Sequence, residues 1–292
     1  MKNQYIVNFV VTSLIALCFI ACKKDGNPNN LPPVNPADYD GKIDGYLSSD
    51  DVKKDKLVAY WSFDDTKSEL KSSTAPTQTS NDAFITDAVK GKAISLNKGF
   101  LYYATQLPQF KTETFKSWSL SVWVKVKNNG SKRTMVLQLT RPGIFNGSIN
   151  FLLNTNGYPA TNDSVLRIAP TFTTIGGGTQ DNLNNLLDKT NLNQWNHIVL
   201  TYDGTTGVFN NWLNGVKVGN YPNRGTGNNL FKCYEPNEFI IGSNYNGIPG
   251  KTVSADVSIE PMTGAIDELR MYNVTLGDAY ILALYKLGLA KL

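Results

Sequence analysis

Histidine and cysteine are nearly missing from this chain. One histidine, His197, and three cysteines stand among 292 residues, and two of the cysteines fall within the first 22. A His-based metal cluster is thereby excluded, and no C-x-x-C pair exists. With Cys233 the sole cysteine beyond residue 22, the folded part cannot close an internal disulfide, and its core must hold by packing. A dominant charge is missing too: 28 Lys and Arg against 24 Asp and Glu give a formal net charge of +4, and the lysines are scattered singly. Without a basic cluster interleaved with aromatics, no nucleic-acid partner is expected. There is no G-x-S-x-G elbow, and a Ser-His-Asp triad would have to use His197. The glycines of TIGGGTQ lack the Lys and Ser/Thr of a phosphate loop and suit a flexible connection equally well.

What is present begins with MKNQYIVNFVVTSLIALCFIAC, a short basic start followed by an apolar stretch. The stretch is shorter than the roughly 20 residues needed to span a bilayer, so residues 1–21 read as an export signal. Its last residues, FIAC, are similar to a lipobox: Ala21 is the small residue before Cys22, which would carry the lipid and become the mature amino terminus. Phe19 stands where Leu is usual, and Cys18 is a poorer candidate because Leu17 before it is large. The chain is expected to be exported and lipid-anchored to the outer membrane, on the cell surface or the periplasmic face. Residues 22–56 are polar and rich in Pro and Gly and read as a tether. Residues 57–292 are long enough for one large β domain that buries roughly 70–75% of its unfolded surface.

From Leu57 onward the texture is that of strands. LVAYWSF, KAISL, FLYYA, WSLSVWVKV, TMVLQLT, INFLLN, NHIVLTYD, EFIIGSN and AIDELRMYN are separated by RPG, NTNG, GGG, DG and NG, which are turn chemistry. In WSLSVWVKV, Trp118, Leu120, Val122, Val124 and Val126 share the core face, and Ser119, Ser121, Trp123 and Lys125 share a face expected to meet solvent in part. Asp203-Gly204 and Asn214-Gly215 are expected to supply the positive-φ residues of two tight hairpins. One short helix is expected near the end, with Thr275 as N-cap and Ala279, Leu282, Ala283 and Lys286 on one face.

Several blocks then stand in a recognisable order: LVAYWSFDD, GKAISLNKG, SWSLSVWVKV, NQWNHIVLTYDG, NNWLNGVKV and GAIDELRMYNVTL. Together they resemble the LamG-like, concanavalin A-like lectin/glucanase jelly roll. That resemblance implies an all-β sandwich of two antiparallel sheets with a short C-terminal helix, and it implies that His197 is a hydrogen-bonded sheet residue. The fold hosts lectins, adhesion modules and some hydrolases, so function must be argued from the site.

A retaining hydrolase needs two carboxyls roughly 5–5.5 Å apart. The E-x-D-x-E and E-x-D-x-x-E patterns of related glucanases are not found. Asp64-Asp65 and Asp267-Glu268 are adjacent and should point to opposite faces, and Glu235 and Glu238 flank a proline. Sugar binding needs aromatic faces beside amides, and loops here pair them. Phe145 stands next to Asn146, Tyr158 near Asn154 and Asn156, Tyr221 near Asn223 and Arg224, and Tyr245 next to Asn246. Asn is also an ordinary turn residue, so each pair has a structural explanation as well. The expected partner is a polysaccharide or glycan, bound without turnover, with a glycan-uptake complex as a further partner. The alternatives are a protein-binding adhesion module and a hydrolase whose acids come from separate strands. The resemblance also implies a structural calcium, with Asp267 and Asp64 or Asp65 as ligands, against which stands a role for Asp267 as acceptor of backbone hydrogen bonds.

Overall fold

Alternating bulky and small residues build the strands. The computed structural model describes residues 41–126, 132–154, 166–181, 183, 185–187 and 194–292. Among them lie β1 (Leu57–Trp61), β2 (Gln78–Ile85), β3 (Ala93–Tyr103), β4 (Trp118–Val126), β5 (Arg133–Arg141) and β6 (Ile144–Asn154). Five shorter or later strands follow: β7 (Leu166–Ile168), β8 (Thr171–Thr173), β9 (Thr179–Gln180), β10 (Asn185–Leu187) and β11 (Asn196–Asp203). The last are β12 (Val208–Leu213), β13 (Val216–Tyr221), β14 (Glu238–Ile241), β15 (Ile259–Glu260) and β16 (Met262–Tyr272), before helix α1 (Asp278–Leu289).

These strands form one curled, almost wholly antiparallel sheet in the order β10-β7-β6-β5-β14-β3-β16-β4-β11-β12-β13, with β1 on β16 and β2 on β3. The curl folds the sheet over a single main core that includes Trp61, Trp118, Leu120, Phe151, Ile198, Phe209 and Phe239. Aromatic stacking tightens it: Trp61 lies on Phe239 with ring centroids 4.6 Å apart, and Phe172 on Phe209 at 4.9 Å. The all-β jelly roll expected from the sequence is the observed fold.

Local chemistry explains the turns. The β12–β13 hairpin turns on Asn214 and Gly215 with φ of 50° and 79°, as a two-residue hairpin requires. The β11–β12 turn departs from expectation. Its positive φ, 71°, falls on Gly207, and Asp203 serves by accepting from the amides of Thr205 and Thr206 at 2.8 and 3.3 Å.

The second face of β4 is covered, not half-wet. Ser119, Ser121 and Trp123 are buried. Helix α1 lies over them, with Tyr285 stacked on Trp123 at 5.7 Å. Gly288 permits this approach, because a Cβ there would stand 2.4 Å from the Trp123 ring. The helix is capped by Gly277; the Thr275 hydroxyl donates to the Tyr202 carbonyl at 3.0 Å, and so is unavailable as the cap. Its buried face is Ile281, Ala283, Leu284 and Leu287, while Leu282 is exposed.

Residues 41–56, read above as the end of the tether, belong to the folded unit Gly41–Leu292. Val52 and Leu57 pack in a second apolar cluster with Trp212, Tyr272, Ile281 and Leu284. The Ser49 amide and hydroxyl donate to the Leu292 carbonyl at 3.2 and 2.8 Å. Polar composition hid this segment because its anchors are few and include hydrogen-bonding side chains. At the far end of the sheet path, Asn185 of β10 reaches β12 and β13. Its amide donates to the Val218 carbonyl at 2.6 Å, and its oxygen accepts from Tyr221 Oη and Asn211 Nδ2 at 2.6 and 2.7 Å.

Candidate functional site

The faces of the curled sheet differ in what covers them. On the β4–β16–β11 side, the space beneath α1 is filled by a polar network. A bulge in β16, with Asp267 opposite Trp123, Arg270 opposite Ser121 and Glu268 at φ 50°, puts Leu269 in the core and turns its charged neighbours outward. Arg270 pairs with Glu268 and with Asp50 Oδ1 at 2.7 Å, and Tyr60 Oη donates to Glu268 Oε1 at 2.7 Å. His197 Nε2 lies 2.8 Å from Ser121 Oγ, the sheet hydrogen bond expected of it. Burial, with the Arg270 charge adding to it, pushes the His197 imidazole down to about 3. This histidine has no open side from which to act as a base.

The proposed calcium ligands do not fit a cation. Asp267 is fully buried, and both its oxygens are taken by amides: Oδ2 by Val89 and Lys90 at 2.8 and 3.1 Å, Oδ1 by Glu268 at 2.8 Å. Asp64 Oδ1 accepts from the Lys92 amide at 2.7 Å, and Asp65 pairs with Lys92 Nζ at 2.5 Å. Among the described residues no three His, Cys, Asp or Glu are grouped as metal donors. Calcium asks for six to eight oxygens, and these carboxylates are already spent on the turn that leads into β3.

The other side, β3–β14–β5–β6, carries a polar row in place of a helix. Cross-strand register sets Tyr102, Ile240 and Gln138 in one line and Glu238 and Thr140 in the next. Gln138 is fully engaged: its Nε2 donates to the Phe145 carbonyl at 2.9 Å and Asn150 Oδ1 at 2.6 Å, and its Oε1 accepts from the Tyr245 amide at 2.8 Å. Its neighbours are not. Tyr102 Oη, Thr140 Oγ1 and Glu238 Oε2 are buried and lack a partner in good hydrogen-bond geometry, with Tyr102 close to both Lys251 and Glu238. Lys251 stands over this patch, 5.4 Å from the Tyr102 ring and 5.7 Å from the Tyr245 ring. Burial raises the Tyr102 phenol, the nearby Lys251 draws it partly back, and the neighbouring Glu238 carboxylate adds to the rise. A phenol, a hydroxyl and a carboxylate oxygen form a set that can meet the hydroxyls of a ligand once the cover of Lys251 and Tyr245–Ile248 shifts off them.

The sequence-predicted residues divide between two places. Phe145 and Tyr245 meet at Gln138, beside the unpartnered row. Tyr245 is no exposed platform, however. It is 4% exposed and packs with Phe100, Tyr102, Ile240 and Ile248. Asn246 is equally occupied, its side chain bonded to the backbone of Val253 and Ser254 at 2.8 and 3.1 Å and to the Ser254 carbonyl at 2.7 Å. Tyr221 is held at the sheet edge by Asn185, and Arg224 is exposed in the turn after it. Tyr158 and Cys22 lie outside the described residues. Tyr102, Thr140 and Glu238 were missed because, as strand positions, they carry no local signal; the cross-strand register alone brings them together.

This geometry accords with what the chain is similar to. The family described as the concanavalin A-like lectin/glucanases superfamily matches residues 102–282, and the chain belongs to it. No curated protein matches. Among solved structures, domain 4 of AbnA, a GH43 extracellular arabinanase from Geobacillus stearothermophilus, in complex with arabinotriose, is 22% identical with a TM-score of 0.52. That match covers 78% of this chain and 98% of the other. The binding domain of Paraclostridial Mosquitocidal Protein 1 is 15% identical with a TM-score of 0.56, covering 80% of this chain and 52% of that one. The botulinum neurotoxin serotype G binding domain is 14% identical at a TM-score of 0.53, covering 79% and 50%. The chain thus spans about half the length of these two toxin domains, and all three likenesses concern the fold.

Proposed function

We propose that this chain is an exported, lipid-anchored module that binds a neutral polysaccharide without cleaving it. The observation that carries the reading is the buried row of Tyr102, Thr140 and Glu238, whose polar atoms lie beneath Lys251 and Tyr245 without good hydrogen-bond geometry to the protein. Acids elsewhere support binding over turnover. Asp267 is held by three amides, Glu268 by Tyr60 and Arg270, and Glu235 by Gln106 Nε2 and the Thr112 amide, both at 2.8 Å. Among the described residues Glu238 faces the polar row without a second free carboxyl beside it, and hydrolysis with retention needs two. The arabinotriose complex of the AbnA domain favours a glycan as the ligand class, and the two toxin structures, both binding domains, favour binding as the role.

A few neutral hydrogen bonds, each netting roughly 0.5–1.5 kcal/mol, set the expected affinity in the micromolar to millimolar range. The test is equilibrium binding of the whole chain to arabinan, xylan and β-glucan and to their tetrasaccharides, with product analysis alongside. Thr140→Val and Glu238→Gln should each weaken binding up to about tenfold. No binding to any of these at millimolar concentration, or release of products, overturns the reading.

A further inference from the structure

On the same side of β3, at its other end, an open groove of about 380 Å³ runs along the sheet. Its floor is built from paired strands: Ser95 lies opposite Ala265, which lies opposite Lys125, and Asn97 lies opposite Thr263. Ile94, Leu96 and Ile266 point into the core, so Ser95, Asn97 and Ala265 are presented outward. The floor therefore mixes small and polar side chains, with Ile85 of β2 and Leu96 adding apolar surface. One wall is Asp87, whose Oδ2 takes Lys125 Nζ at 2.6 Å and whose Oδ1 takes Trp195 Nε1 at 3.3 Å. Within one groove stand a hydroxyl, an amide, an ion pair able to donate and accept, and an indole at its margin. That set suits a neutral polyhydroxylated chain; an anionic ligand would have Asp87 against it.

We infer that this groove is a second carbohydrate subsite, distinct from the row at Tyr102, Thr140 and Glu238; the inference rests on the glycan-binding reading above. An irregularity at Lys98, φ 50°, moves the core-facing positions of β3 from Ile94 and Leu96 to Leu101 and Tyr103. Ser95 and Tyr102 therefore both stand on the outward side, seven residues and thus roughly 20 Å apart along the strand. A polysaccharide can occupy both places at once, whereas a tetrasaccharide is confined to one. Chain-length dependence of affinity is the signature, because the second contact is made at the effective concentration set by the first.

The groove has its own reporter. Trp61, Trp118, Trp123 and Trp212 are at most 3% exposed, and Trp195 is the remaining tryptophan, half-buried at the groove margin. The whole chain and a Ser95→Ala/Asn97→Ala double variant are titrated with the three polysaccharides and their tetrasaccharides, following tryptophan emission and binding heat. The wild type should bind its preferred polysaccharide at least about tenfold more tightly than the tetrasaccharide, with an emission change that Trp195→Phe abolishes. The double variant should lose that advantage and keep the tetrasaccharide affinity of the Glu238 row. If the double variant binds the polysaccharide as the wild type does, the groove is not a subsite and the first reading stands. If the wild type binds no glycan, both fail.

Discussion

His197 offers a quantitative test of the packing beneath α1. Its ring lies 5.0 Å from Trp123 and 6.2 Å from Tyr285, with one nitrogen at Ser121 and Nδ1 without a partner. Protonation would place a cation in this space beside Arg270, and the imidazole is accordingly held down at about 3 against 6.5 for the free group. A base depressed in the folded state stabilises fully above its unfolded value, and that contribution is lost as pH falls from 6.5 toward 3. Below pH 6.5 the unfolded chain takes up a proton that the folded chain refuses, at about 1.4 kcal/mol per pH unit. Between pH 7 and pH 5 the loss amounts to about 2 kcal/mol. Urea unfolding at pH 7, 6 and 5, on the wild type and on His197→Gln, isolates the effect, since every other group titrates in both. The wild type should lose about 2 kcal/mol more than the variant over this range. Parallel pH profiles would show that the ring is reached by water and refute the argument, whatever the absolute stability of the variant.

Asp267→Ala should cost roughly 3–5 kcal/mol by stranding three amides, and a calcium chelator should leave the wild-type melting temperature unchanged; a drop with chelator would restore the metal. Tyr245→Ala should destabilise by about 3–5 kcal/mol because the ring is core to its cluster, while Arg224→Ala should fall within about 0.5 kcal/mol of the wild type; denaturant melts of the two decide it. Cys22→Ala should move the chain from membranes to the soluble fraction, and intact mass of the wild type should show a lipid on Cys22. An unmodified chain with a different amino terminus would sink that part of the proposal.

How much was legible depended on whether the signal was local. The hairpin at Asn214-Gly215 and the core-facing set of WSLSVWVKV are short-range patterns, and the structure has both, while the half-wet second face expected of that strand is buried under α1. Strand β2, QTSNDAFI, was missed because it is a polar edge strand with little buried surface to impose a period. Thr275 looked like a cap by position, but the Tyr202 carbonyl, 73 residues away in sequence, takes its hydroxyl. Loops rich in Tyr and Asn read as binding surface, yet the same residues serve to hold a loop together, as Asn246 does. The row at Tyr102, Thr140 and Glu238 draws on three strands and the groove on four, so neither could be assembled before the register was known.

The contact made by Asn185 has a consequence for association. A strand at the end of a sheet offers backbone amides and carbonyls to any other chain that can add to it. Here, among the described residues, β10 and β13, the two ends of one long path, are bridged by the Asn185 side chain, which occupies the Val218 carbonyl and collects Tyr221 and Asn211 around it, while Asn211 Nδ2 also donates to the Leu183 carbonyl at 2.7 Å. The two ends of the path are thereby joined by side-chain hydrogen bonds, where backbone ladders join the strands along it. Loosening those bonds would leave the edges of β10 and β13 open to strand addition at once, so Asn185→Ala is expected to raise the tendency to associate, which size-exclusion chromatography at rising concentration would check.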